Sequence, residues 1–222
     1  MSRTLGLAAI VGALTASLVL AFTVTATPTV DAHAARGARA DKAAFHDAMR
    51  KLWEDHIIWT RQFIVSAATE SGNLADIGPT TDRLLANQTD IGNALEPFYG
   101  DAAGRQVTSL LRDHILTAAQ LVAAAKAGDG PAVDAAATAW YRNADDIATA
   151  LHGLNPTHWP LAEMRAHMKD HLDLTLEEAV ARLQGRYADD IAAYDQVHAQ
   201  ILTMADMLSD GIVAQFPAKF AR

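Results

Sequence analysis

Asp113-His114-Ile115-Leu116-Thr117 echoes Asp55-His56-Ile57-Ile58-Trp59-Thr60 earlier in the chain, and Asp170-His171-Leu172-Asp173-Leu174-Thr175 echoes both. His114 follows His56 by 58 positions and His171 follows His114 by 57. Asn87-Gln88-Thr89-Asp90-Ile91 returns 56 positions later as Asn143-Ala144-Asp145-Asp146-Ile147. Near-constant offsets of this size mark a repeated supersecondary unit. The unit reads as a helical hairpin, with Asp-His on one arm and Asn-x-x-Asp-Ile on the other.

The residues around the motifs decide for helices. Phe45, Met49, Leu52, His56, Trp59 and Phe63 fall three and four apart, as do Val107, Leu110, His114, Ala118 and Leu121. Near the C-terminus Ile191, Tyr194, His198, Ile201, Ala205, Leu208 and Ile212 do the same. A helix of 3.6 residues per turn gathers such positions into one stripe, which must be buried against other helices.

Glycine and proline punctuate the chain into six such segments. They run from about Asp41 to Glu70, from after Gly78-Pro79 (with Thr80 or Thr81 as cap) to Pro97, and from about Asp101 to Ala127. Pro131 opens the fourth, which stops at Gly153-Leu154-Asn155-Pro156; the fifth spans about Trp159-Pro160 to Gly185 and the sixth about Tyr187 to Gly211. The predicted fold is all-α, an antiparallel bundle of about six helices built from repeated hairpins. Half of the residues are hydrophobic but only 6% are aromatic, so small side chains dominate the helix contacts.

Upstream of the bundle, Arg3 precedes an apolar stretch from about Leu5 to Thr25, and Ala32-His33-Ala34 offers a small-x-small cleavage site. Residues 1–34 are therefore expected to be a signal peptide or an N-terminal membrane anchor, and residues 35–222 a single helical domain outside the cytoplasm: periplasmic, cell-surface or secreted. Membrane contact is expected only through an uncleaved leader. The net charge of −8, with no dense Lys/Arg cluster, argues against nucleic-acid binding. With no cysteine there are no disulfides, thiolate metal sites or thiol nucleophiles.

The histidines carry the chemical interest. His56, His114, His171 and His198 each stand near the middle of an apolar stripe. Helices joined by short turns bring residues equally far from the turn to one height, at about 1.5 Å rise per residue. His114 and Asp146 stand in that relation to Gly128, His56 and Asp90 to Pro79, and His171 and His198 to Gly185. Two functions follow. In the first, the bundle is a binding protein that holds a transition metal (copper, zinc or iron) through His56, His114, His171, His198, Asp90 and Asp146; haem is the weaker cofactor expectation. Asn87, Asn143, His167, Trp53, Tyr141, Met168 and Met204 would support or line that site, the thioethers favouring copper. In the second, the same histidines are satisfied by the asparagines and aspartates, as a buried polar network in a cofactor-free structural or interaction module.

Enzymatic motifs are missing: no nucleophile elbow, phosphate-binding glycine loop or dinucleotide fingerprint occurs, and Met168 follows His167 where a zinc-protease helix needs glutamate. Ferritin-like Glu-x-x-His pairs are absent as well.

Leu52-Trp53-Glu54-Asp55-His56, the run Leu85-Ala86-Asn87-Gln88-Thr89-Asp90-Ile91-Gly92-Asn93-Ala94, and Pro97-Phe98-Tyr99-Gly100 together resemble a bacterial family of exported helical proteins with no established activity. The resemblance spans most of residues 45–218. It implies the helical fold and gives weight to these motifs, without supplying a function.

Overall fold

The computed structural model describes residues 40–69 and 72–221. The expected signal peptide or anchor, residues 1–34, lies outside them. Residues Ala38–Arg222 form a compact unit of their own. Six helices build it: α1 Lys42–Ala67, α2 Ile77–Tyr99, α3 Asp101–Ala127, α4 Gly130–Leu154, α5 Leu161–Leu183 and α6 Tyr187–Gln215. Each packs on the next, and α6 packs on α1, so the six close into a ring. Across the ring α1 also touches α3 and α5. Partners on α6 fall in number as those on α1 rise: His46 meets Ser209, Arg50 meets Asp206, Glu54 meets His198 and Arg61 meets Asp190. No described helix is long and apolar enough to cross a membrane.

Local chemistry sets the helix ends. The Asp41 side chain accepts from the Ala44 N–H (2.9 Å) and that of Asp129 from Ala132 N–H (3.1 Å), each satisfying a donor the first turn leaves open. Gly128 ends α3 in the left-handed region at φ 68°, where glycine pays no Cβ penalty. Several expected boundaries move, the first being the end of α1, which stops at Ala67 rather than near Glu70. The second helix begins at Ile77, because Pro79 in its first turn needs no N–H partner, and it continues through Pro97 to Tyr99. The sixth passes Gly211 and ends at Gln215. Gly211 is there for close packing: a Cβ on it would lie 2.1 Å from Trp159 Nε1. Gly92 and Gly104 do the same between α2 and α3, where a Cβ on Gly92 would meet the Gly104 carbonyl oxygen at 2.6 Å.

The two ends of the bundle are filled differently. At one, Phe45, Phe98 and Phe220 interlock with ring centroids 5.1 to 5.8 Å apart, Phe216 packs on Phe98 at 5.6 Å, and Trp159 is wholly buried against Tyr99. The C-terminal turn Pro217–Lys219 is tied in by Ala40 N–H to Lys219 O (3.0 Å) and Ala221 N–H to Ala40 O (2.9 Å). At the other end a small apolar cluster of Ile64, Ala67, Val122 and Ala179 takes over, with Phe63 and Ile77 against it. Between the two ends lies a layer of polar side chains.

Candidate functional site: a buried histidine–amide layer

The apolar stripes of α1, α3 and α5 carry His56, His114 and His171 inward, leaving them 2%, 3% and 4% exposed. The His171 ring lies 5.7 Å from that of His56 and 6.2 Å from that of His114, centroid to centroid. Three of the four expected histidines thus come together, one from each odd-numbered helix.

Each even-numbered helix answers with an amide, and the same bond recurs three times. Asn87 Nδ2 donates to Leu52 O (3.0 Å), Asn143 Nδ2 to Leu110 O (3.0 Å) and Gln200 Nε2 to His167 O (3.0 Å). In every case the accepting carbonyl belongs to the residue four before the histidine. The amide therefore caps the turn beneath the imidazole, and for two of the three rings an amide oxygen, from Asn143 or from Gln88, also meets Nδ1. His114 Nδ1 donates to Asn143 Oδ1 at 3.0 Å, and His56 Nδ1 donates to Gln88 Oε1 at 3.2 Å. In the second case Gln88 extends the chain, its Nε2 donating to Asn87 Oδ1 (3.1 Å) and Leu84 O (2.7 Å). The third copy is looser. Gln200 lies close enough to His171 to favour its charged form, yet His171 Nδ1 and Gln200 Oε1 are both buried without an aligned partner.

An amide oxygen only accepts, so Nδ1 must carry the proton and Nε2 must be bare in the neutral ring. For His114 the second half is occupied: Trp140 Nε1–H donates to His114 Nε2 at 3.2 Å. A proton added there would face another N–H. Burial, with the His171 ring beside it as a second cause, lowers the His114 pKa from 6.5 to about 3; burial lowers that of His171 to about 4. His56 is held well below its ordinary value, first by burial and then by the two neighbouring imidazoles. All three rings are neutral at physiological pH.

The remaining expected residues lie elsewhere. His198 is not in the layer. The inward line of α6 runs through Val197, Gln200, Ile201 and Met204, and His198 is turned outward to Glu54, with 2.8 Å from Nε2 to Oε1. Asp90 is half exposed and 3.7 Å from Arg83, and Asp146 is exposed. These corrections share a cause: Asn87/Ile91 and Asn143/Ile147 take the inward positions, which leaves an aspartate three residues after the asparagine on the flank. His167 is half-buried and gives the layer only its backbone carbonyl. Trp53 does pack beside His56, at 5.9 Å between centroids, with its own N–H unpartnered. Tyr141 turns its hydroxyl to Asp173 (2.6 Å) at the surface. Met168 and Met204 are buried in the apolar core. Among the described residues no group of three or more His, Asp or Glu side chains is placed to hold a metal ion.

Three features escape the sequence. Gln88 and Gln200 are members of the layer, and Gln200 was findable: it follows His171 by 29 positions, as Asn143 follows His114. Arg61 bridges Glu178 (2.7 Å) and Asp190 (2.8 Å), with Arg182 completing the group. Burial outweighs the guanidinium and lifts Glu178 to about 7. Finally, Ser209 Oγ, His46 Nδ1 (2.7 Å) and Asp210, 3.3 Å from His46 Nε2, form a row resembling a charge relay. Ser209 is wholly buried and its hydroxyl donates to Ala205 O (2.8 Å), so it is not placed to attack a substrate.

Compared with family models, with curated proteins and with solved structures, the chain finds no match in any of the three.

Proposed function

We propose that residues 35–222 are a cofactor-free structural or interaction module of an exported protein, its six helices held in register by the histidine–amide layer. The observation that carries this reading is the threefold recurrence of an amide N–H bonded to the carbonyl four residues before a buried histidine. Apolar contacts between the Leu, Ile, Met and Ala side chains of this core are not directional, whereas a polar bond made at one register only penalises sliding of one helix along another. Neutral imidazole suits that task, since it donates through Nδ1 without placing a charge in the core. The apolar N-terminal segment supports export, and the motif resemblance to exported helical proteins points the same way.

Metal binding remains a second reading because of one observation: His56 Nε2 and His171 Nε2 make no hydrogen bond among the described residues, and their rings are adjacent. Two imidazoles alone form an incomplete site, and His114 would have to release Trp140 to make a third ligand. Elemental analysis of protein purified from the periplasm or medium, with melting curves with and without chelator, separates the readings. The module predicts substoichiometric metal and a melting temperature unmoved by chelator or added copper, zinc or iron. Stoichiometric metal with a chelator-sensitive melt would replace it by the metal reading.

A further inference from the structure

One helical turn from the histidine layer, toward the Ile64–Val122–Ala179 cluster, lies a cavity of about 90 Å³. Its inner end is closed by Trp140, Thr60 and Thr175, and its wall continues along α5 to Leu183. From Thr175 to Leu183 that is about 12 Å at 1.5 Å per residue, so the space is narrow for its length. Nothing in it hydrogen-bonds to an occupant. The Thr60 and Thr175 hydroxyls donate to His56 O (2.8 Å) and His171 O (2.7 Å), and the other lining groups are hydrocarbon or the far side of Trp140. Such a space stays dry and takes an apolar guest.

Ala125, Val180 and Leu183 also line a second, wider depression at the surface, of about 500 Å³, where Lys126 and Gln184 stand at the rim. Lys126 Nζ gives two of its three N–H groups to neutral acceptors, Ala67 O (2.7 Å) and Asn73 Oδ1 (3.1 Å). A cation at the mouth and a dry, chain-width space behind it match the two parts of one kind of molecule. We propose that this end of the bundle binds a single-chain anionic amphiphile, an aliphatic chain ending in a carboxylate, with its tail against Trp140 and its head at Lys126. This site borders the histidine layer and shares Trp140 with it, but it does not rest on the role assigned to that layer.

The test uses full-length protein titrated with decanoate below its micelle concentration, followed by calorimetry and by Trp emission, with 1-decanol and acetate as head-free and tail-free controls. Expected are one decanoate per chain, a shift in emission that Trp140→Phe removes, and no binding of acetate. Lys126→Gln should weaken decanoate about tenfold, the loss of one charge-assisted hydrogen bond, and leave 1-decanol unchanged. Ala179→Leu, or Ala118→Leu should the first fail to fold, should abolish binding of both chains. Absence of saturable binding, equal binding by a folded filled variant, or decanoate affinity untouched by Lys126→Gln would each overturn the proposal.

Discussion

The two ends of this bundle solve the same packing problem with opposite means. Around Trp159, aromatic rings fill the space between helix ends, Gly211 admits the indole to direct contact with α6, and the C-terminal turn is tied over the top. Around Ile64, Val122 and Ala179 the side chains form only a small apolar cluster, and a cavity remains beside it. One end is closed by shape and the other by little more than aliphatic contact, with the histidine–amide layer between them. The difference suggests a division of labour: rigidity at the aromatic end, accommodation at the hollow end, and register fixed in the middle.

Acid should produce the largest effect, by attacking the layer that separates the ends. A histidine in the unfolded chain takes up a proton near pH 6.5, whereas the folded rings do so only at about 3 for His114 and about 4 for His171, with His56 also well below 6.5. Below about pH 6.5 the unfolded state therefore binds more protons and stability falls. At about pH 5 His114 and His171 each cost about 2 kcal/mol, about 4 kcal/mol together, and His56 adds to the loss in the same direction. Urea melts at about pH 7 and 5 should show this loss, unchanged by chelator.

Next in size is truncation at the filled end. Trp159→Ala should cost about 3–5 kcal/mol in urea denaturation, since the indole is wholly buried and its neighbours are fixed. A matched pair of enlargements sharpens the contrast. Ala148→Leu, at a position with 0% exposure, should cost about 1–3 kcal/mol. Ala179→Leu grows into the cavity and should be neutral or stabilising by up to about 1 kcal/mol. Equal penalties would mean that the hollow end is not hollow. The smallest effect at neutral pH belongs to Trp140→Phe, which removes the donor to His114 Nε2 at about 1 kcal/mol. That variant should nevertheless lose less stability on acidification, because the added proton no longer faces an N–H.

The fold was legible because its signals are periodic and local. Helix stripes, Gly128, Pro131 and the offsets between His56, His114 and His171 suffice for six helices and three inward histidines. The partners were harder to read. Choosing between Asn143 and Asp146 needs the helix rotation to better than one residue, and a stripe three to four positions wide does not supply it. His198 shares an apolar stripe that in α6 faces both the core and the α1 side, whereas Gln200 lies off that stripe and only its 29-residue offset from His171 marks it. The Arg61–Glu178–Asp190 group joins three helices far apart in sequence, and no local pattern announces such a contact. The cavity is likewise a property of what small side chains leave unfilled.

Three neutral imidazoles form the middle of this core, and two of them, His56 and His114, donate from Nδ1 to an amide oxygen. Long-range ¹H–¹⁵N NMR of the imidazole nitrogens, followed from about pH 7.5 to 5, tests this arrangement most directly. His56 and His114 should appear as neutral Nδ1–H tautomers, and neither they nor His171 should titrate in this range while the protein stays folded. Titration of these rings near pH 6.5, or Nε2–H tautomers for His56 and His114, would contradict it.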